Sequence, residues 1–268
     1  MNRPEDWDVI WRWQWFRRPL WQPYFRDPGH PEGRAAKTAP IWQWLLQQNG
    51  AHRVLDCNCG LGQRTMILKD LGFDMVGADG STEAIQHATE LAEIRNVDLP
   101  FRQCTLQNLG EVFGAEFDAV LNDQFCNTLS RADLRFSAHN FASVLRPGGI
   151  FVFQGADDQS NPADKPRLVE DAWQAAPRFQ LRSVYERDGT HVSLVVARDK
   201  DPDGVVENYL FTIRDAAGVR LETAAICHSL KWTWDDYQAV FREAGFSCLE
   251  TVRIPVGRRE IPLNVARK

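Results

Sequence analysis

The sequence predicts an α/β fold, a doubly wound parallel sheet interrupted by an antiparallel meander, and three observations carry the prediction. Between residues 34 and 154, short apolar runs alternate with segments of helical spacing, the mark of a parallel sheet covered on both faces. The first of these runs, Arg53-Val54-Leu55, ends in Asp56 and passes through a glycine turn, Gly60-Leu61-Gly62, into a helix. Beyond Gln154 the pattern changes to four apolar runs joined by hairpin signals at Asp188-Gly189, Pro202-Asp203-Gly204 and Ala217-Gly218.

In chain order, residues 1–33 read as an aromatic arm, 34–154 as a ligand-binding core, 155–230 as an inserted antiparallel lobe, and 231–268 as a helix and two strands completing the core. The arm holds Trp7, Trp11, Trp13, Trp15 and Trp21, half of the 10 tryptophans, with arginines between them. Such a pattern suits a stacking surface for single strands, a membrane-interface helix, or rings packed on the protein itself with the arginine heads in water. The net charge of −5 favours the last and gives no footing for nucleic acid or an anionic membrane. The arm is therefore expected to lie over the core as a lid, or to join two subunits of a homo-oligomer. A helix is expected over Gly33–Gly50, with Gly50 ending it. The first strand follows at His52–Cys57, a helix at Gly62–Asp70, and the second strand at Asp74–Ala78. Ser81 is placed to cap the helix that carries Ile85, Ala88, Leu91 and Ile94 on one face. Strands three, four and five are expected at Phe101–Cys104, Phe117–Leu121 and Ile150–Phe153. The closing helix is expected over Trp234–Ala244 and the last strands near Ser247–Ile254 and Ile261–Ala266.

No apolar run approaches the roughly 20 residues of a membrane span. The chain shows no signal-peptide core at its start, so a cytoplasmic location is expected. The six cysteines are scattered, lack zinc-site spacing and fit free thiols; no metal is expected.

The glycine turn narrows the ligand. A dinucleotide site asks for a third glycine where Thr65 stands, and no phosphate-binding G-x-x-x-x-G-K-[ST] loop is present. Instead Asp56 closes the first strand and Asp79 closes the second, 17 residues past Gly62. A carboxylate at the tip of the second strand can accept both hydroxyls of an adenosine ribose. Acid, glycine turn and second acid suit S-adenosylmethionine (SAM), which has a ribose, an ammonium and a carboxylate but no phosphate.

With these residues in view, the chain resembles the class I SAM-dependent methyltransferases, and within them the glycine N-methyltransferase branch, over about Leu20 to Val152. VLDCNCGLGQ from Val54 is similar to the family's first motif and GADGS around Asp79 to its ribose-gripping strand end. Phe117–Leu121 and Leu145–Phe153 are similar to its fourth and fifth strands. The resemblance implies a Rossmann-like seven-stranded methyltransferase sheet. It also implies a cofactor set of Trp21, Lys37, Asp56, Asn58, Gly60, Gly62, Asp79, Gly80, Thr105, Leu106 and Asn122. Trp21 stands where a tryptophan packs on the methionine part. Lys37 stands where an arginine binds the SAM carboxylate, and keeps the charge without the bidentate fork. Thr105-Leu106 replaces an Asn-Trp pair that brackets the adenine. Gln124 replaces a substrate-site asparagine, and Ala156 replaces the arginine that holds the carboxylate of glycine. An acceptor other than glycine is therefore expected.

Methyl transfer from a sulfonium needs a neutral nucleophile aligned in a dry pocket more than it needs a dedicated base. The expected catalytic set is a positioning one, Asp123, Gln124 and Tyr24. Asp157, Asp158 and, from the lobe, His228 are expected to meet the substrate, the aspartate pair being equally readable as a solvated loop. Arg258 and Arg259 read as a solvated turn. The resulting expectation is a SAM-dependent N-methyltransferase acting on a small amine or nitrogen heterocycle. Three alternatives stay open: a small-molecule O-methyltransferase, an enzyme that cyclises SAM without methyl transfer, and a non-enzymatic SAM-binding scaffold whose arm docks a partner.

Overall fold

The computed structural model describes residues 3–127, 130–256 and 259–268. Its main sheet has seven strands in the order β10-β11-β5-β4-β1-β2-β3. These are β1 (Arg53–Asp56), β2 (Asp74–Asp79), β3 (Phe101–Gln103), β4 (Phe117–Asn122), β5 (Leu145–Phe153), β10 (Cys248–Val256) and β11 (Arg259–Arg267). Strands β1 to β5 pair in parallel, and β11 returns antiparallel between β5 and β10. A crossover of strand order falls between β1 and β4, and the carboxyl ends there open the crevice in which ligands of such sheets bind.

Alternate residues of each strand go to opposite faces. Val54, Met75, Ala119 and Val152 pack into a core with α3 (Arg34–Gln48) and α4 (Gln63–Asp70), and with the apolar face of α5 (Thr82–Ile94). Leu55, Val76, Val120 and Phe151 pack into the other core, with α7 (Arg131–Val144) and α9 (Trp234–Glu243). That second core stacks Phe125, Phe141, Phe151, Phe153 and Phe241, all fully buried. Each such ring contributes roughly 1.5–3 kcal/mol relative to exposure. Helix α3 ends as the sequence suggests. Gly50 takes the left-handed conformation (φ +62°), and the N–H groups of Gly50 and Ala51 return to the carbonyls of Gln47 and Leu46. Ser81 caps α5, its hydroxyl accepting from the N–H of Ala84 at 3.0 Å.

The second sheet is antiparallel, in the order β6-β7-β8-β9, with β6 (Phe179–Arg187), β7 (Thr190–Asp201), β8 (Gly204–Asp215) and β9 (Gly218–Ser229). Its turns are the three hairpin signals. Residues 155–178 hold no strand; they include α8 (Lys165–Ala175), which the sequence reading missed. Only Val169 of α8 is buried. The short α6 (Leu109–Val112) was also not anticipated, and β5 begins at Leu145, earlier than expected.

The arm is not extended. It folds as α1 (Pro4–Phe16) and α2 (Arg18–Trp21). One side of α1 lays Trp13 on Val192, Leu194, Val196, Phe211 and Ile213, and Ile10 on Ala224 and Ile226, all on one face of the second sheet. Its other side meets α5, where Trp15 stacks on His87 at 4.7 Å and Arg12 pairs with Glu83. The rings are thus spent on the chain itself, and α1 is the joint between the two sheets. No helix among the described residues is long and apolar enough to cross a membrane.

Candidate functional site

Two adjoining cavities, about 410 and 460 Å³, open over the carboxyl ends of β1, β2 and β4. The smaller is lined by Asp79, Gly80, Cys104, Thr105, Leu106 and Asn122. The larger runs from Gly60 and Trp21 past Arg64 and Asp123 to α3 and to Ile261 and Leu263 of β11. Trp7, Trp11, Asn58 and Gln124 belong to the walls of both. The two tryptophans, one turn apart on α1, stack on each other at 5.9 Å, so the arm supplies the partition between the chambers.

The glycine turn is shaped by its neighbours. Gly60 and Gly62 both hold left-handed backbone, φ +52° and +74°. A Cβ on Gly60 would stand 2.8 Å from the Trp11 ring, and one on Gly62 would stand 2.6 Å from the Phe101 ring. Gly60 faces the larger cavity, whereas Gly62 is buried under Phe101 and lines neither. Its role is to let the turn close.

The two strand-end acids differ. Asp79 opens onto the smaller cavity and accepts from the N–H of Gly60 at 2.9 Å and from that of Ser81 at 3.0 Å. Burial raises its carboxyl to about 6, against the pull of those two N–H groups. Asp56 is fully buried and lines neither cavity. It takes a two-point contact from Arg64 at 3.1 and 2.5 Å and a hydrogen bond from the Thr65 hydroxyl at 2.9 Å. The expectation that Asp56 meets the cofactor is thereby corrected: its lone pairs are occupied by α4.

Arg64 was not anticipated. Besides Asp56 it donates to Asp123 at 2.9 Å and to Asn58 at 3.0 Å, and its guanidinium lies 5.0 Å from the Trp42 ring centre. Burial opposes its charge, but Asp56 and Asp123 outweigh that and raise its pKa. Asp123 is likewise penalised by burial, yet Arg64 and Asn58 hold its carboxyl below the usual range. Asn58 donates to its other oxygen at 2.5 Å. Asp123 is therefore an ionised carboxylate in the cavity wall, fixed from two sides. A cue for Arg64 was present in the sequence, an arginine in the first turn of a helix between two strand-end acids.

Several expected residues stand elsewhere. Lys37 is exposed and outside both linings, while Arg34, Thr38 and Ile41 of the same helix line the larger one. Their spacing of four and three residues defines the inward face, and Lys37 falls off it. Tyr24 is 43% exposed and stacks on His30 at 4.0 Å. Trp21 and Phe25, four apart, take the inward side of that turn. Asp157 and Asp158 are held by Arg253 of β10, at 3.4 and 2.5 Å, in a loop outside the linings. His228 faces Glu207 at 3.2 Å on the second sheet. Of the expected set, Trp21, Asn58, Gly60, Asp79, Gly80, Thr105, Leu106, Asn122, Asp123 and Gln124 do meet at the two cavities. Arg258 lies outside the described residues, as does the side chain of Arg259.

The thiols of Cys57, Cys59 and Cys104 surround the site floor as buried groups. Burial pushes all three up, Cys104 to about 12, so they are packing groups and not nucleophiles. No cluster of metal-ligating side chains occurs among the described residues.

An acid at the second strand tip, a glycine turn whose backbone is open to the crevice, and aromatic walls beside it fit an adenosyl sulfonium. The sheet order and its crevice have the Rossmann-like methyltransferase architecture. A family profile described as a methyltransferase domain matches residues 54–149, and the cofactor of such domains is SAM. The glycine N-methyltransferase of Mus musculus is 29% identical over 149 residues, 50% of this chain and 49% of that protein. A ubiquinone biosynthesis O-methyltransferase of Rhizobium johnstonii is 38% identical over 101 residues, 37% of this chain and 40% of that protein. The sugar N-methyltransferase KedS8 of Streptoalloteichus shares the fold, with a TM-score of 0.64 at 20% identity over 91% of this chain and 90% of that one. Over the matched part, the chain is similar to glycine N-methyltransferases. It spans about half the length, or less, of these curated relatives.

Proposed function

We propose that this protein methylates a small molecule at nitrogen, with SAM as donor and an acceptor other than glycine. The observation that carries the reading is the pair of chambers meeting at Trp7, Trp11, Asn58 and Gln124. In this reading Asp79 accepts the ribose hydroxyls, and Thr105 and Leu106 flank the adenine. Trp7, Trp11 and Trp21 offer ring faces to the sulfonium. Arg34, which forms no ion pair among the described residues, takes the methionine carboxylate in place of Lys37.

Bound SAM supplies a methyl group activated by positive sulfur. The protein supplies alignment and the exclusion of water, and well-oriented systems gain on the order of 7–11 kcal/mol that way. Asp123, held ionised by Arg64, accepts an N–H of the acceptor and orients its lone pair. No histidine lines either cavity among the described residues. That absence suits an amine entering deprotonated better than a hydroxyl, which has to lose its proton as it reacts. The position expected to clamp a glycine carboxylate is Ala156, and the nearby Arg253 is already paired with Asp157 and Asp158.

The test is a product assay with SAM and a panel of amines, nitrogen heterocycles and phenols. S-adenosylhomocysteine formed only with nitrogen acceptors is the expected result. Turnover with phenols alone would move the reading to oxygen, methylthioadenosine without acceptor would move it to cyclisation, and neither product would leave a binding scaffold.

A further inference from the structure

We propose that Asp8 is a positioning residue for the cofactor: it locks the turn that presents Asp79, and so couples docking of the arm to binding of the ribose. The inference rests on the reading of Asp79 as the ribose acceptor.

The geometry is a relay of three groups. One oxygen of Asp8, in the middle of α1, accepts from the Ser81 hydroxyl at 2.6 Å and from the N–H of Glu83 at 3.1 Å. Because Ser81 spends its proton on Asp8, its lone pair is directed to the N–H of Ala84, at 3.0 Å. The N–H of Ser81 in turn goes to one oxygen of Asp79, at 3.0 Å, while Gly60 holds the other. Ser81 is 1% exposed, which limits the access of water to these bonds. Asp8 caps α5 from a different part of the chain: Ser81 satisfies one free N–H of its first turn and Asp8 another.

The flanking residues give the relay a functional direction. Trp7 precedes Asp8, and Trp11 follows it one turn later; both rings line the cavities, with Trp11 over Gly60. The same helix that fixes the Asp79 turn therefore sets the partition between the chambers. Arg12 adds a contact from α1 to Glu83, within the capped turn. A cap serving stability alone has no reason to share its serine with the ribose acid. Here one hydroxyl and its own backbone N–H join both.

The experiment is calorimetric titration of S-adenosylhomocysteine into the full chain and its variants, with thermal melting of each. Asp8→Ala should weaken binding by a factor on the order of ten, and Ser81→Ala by a similar factor. The double variant should be no weaker than the weaker single one, because both changes break one relay. Asp8→Asn, which keeps an acceptor oxygen, should restore binding. Should Asp8→Ala not fold, Ser81→Ala against Asp8→Asn carries the same test. Unchanged affinity in Asp8→Ala, factors that multiply in the double variant, or a loss confined to melting temperature would each overturn the relay. Asp79→Asn separates the two readings. If it binds normally, the ribose assignment falls and the relay with it; if it loses binding while Asp8→Ala does not, the relay alone falls.

Discussion

Asp56 and Asp79 end neighbouring parallel strands on either side of one glycine turn, and they have opposite fates. Asp79 keeps one side open to the crevice and, among the described residues, is held by the backbone N–H groups of Gly60 and Ser81. Asp56 is sealed, with Arg64 and Thr65 taking its oxygens. The same residue type at equivalent strand ends lines an open cavity in one case and is a buried structural counter-ion in the other. Access decides between them, and access is set by the side chain at the start of the following helix. Arg64 reaches back over β1, whereas α5 offers Ser81, which is too short to cover Asp79.

The largest effect should come from breaking the sealed side. Arg64→Met removes the partner of a fully buried carboxylate, and such losses cost about 3–5 kcal/mol. Urea denaturation should show that loss, with Asp123 also released from one of its two holds. The open side should respond in the reverse way. Asp79→Asn should abolish S-adenosylhomocysteine binding in calorimetry while leaving the fold at least as stable at neutral pH. A stability loss in Asp79→Asn as large as in Arg64→Met would erase the distinction.

The distinction can be sharpened by pH. The carboxyl of Asp79 is raised to about 6 in the fold, against about 3.9 in an unfolded chain. Between those values the folded state binds the extra proton, so this group lowers stability as pH rises from about 4 to about 6. Ligand binding runs the other way, because the ribose hydroxyls donate to the ionised form. Affinity for S-adenosylhomocysteine should therefore climb through about pH 6 and level off above it. Asp79→Asn should flatten this component of the stability slope.

A smaller effect is expected on α3. Arg34→Gln should weaken S-adenosylhomocysteine by a factor on the order of ten while leaving methylthioadenosine, which has no carboxylate, unaffected. Lys37→Gln should change neither. A loss in Lys37→Gln would restore the position that the family resemblance singled out.

This contrast shows what was legible in the sequence. The sheet, the glycine turn and an acid at the tip of β2 follow from local rules, namely alternation of apolar runs, left-handed glycine and strand-end geometry, and all of these appear in the structure. The inward face of α3 was harder to read. Its phase is set by how Trp42, Leu45 and Leu46 pack, so a motif match one turn away pointed to Lys37 and not to Arg34. Asp157 and Asp158 looked free because their partner, Arg253, lies about 95 residues further along the chain. The arm's tryptophans were conspicuous, but nothing local divides them between the crevice, the second sheet and α5. That division depends on where β7, β8 and β9 lie, a non-local outcome.

The smallest expected effects lie where sequence expectation and structure part. Tyr24 stacks on His30 outside the cavities, and no hydrogen bond of its hydroxyl is seen among the described residues. Tyr24→Phe should change stability by no more than about 0.5 kcal/mol, as surface changes usually do, and leave turnover intact. His228→Gln should behave similarly toward the ligand, because Glu207 retains Arg182, Arg198 and Tyr209. Its cost is confined to the second sheet, where His228 helps hold the Glu207 carboxyl below its usual range. A Tyr24→Phe variant with turnover reduced about tenfold and unchanged ligand affinity would mean that the segment after α2 turns inward during the reaction. The catalytic role first expected of Tyr24 would then belong to a closed state of the arm.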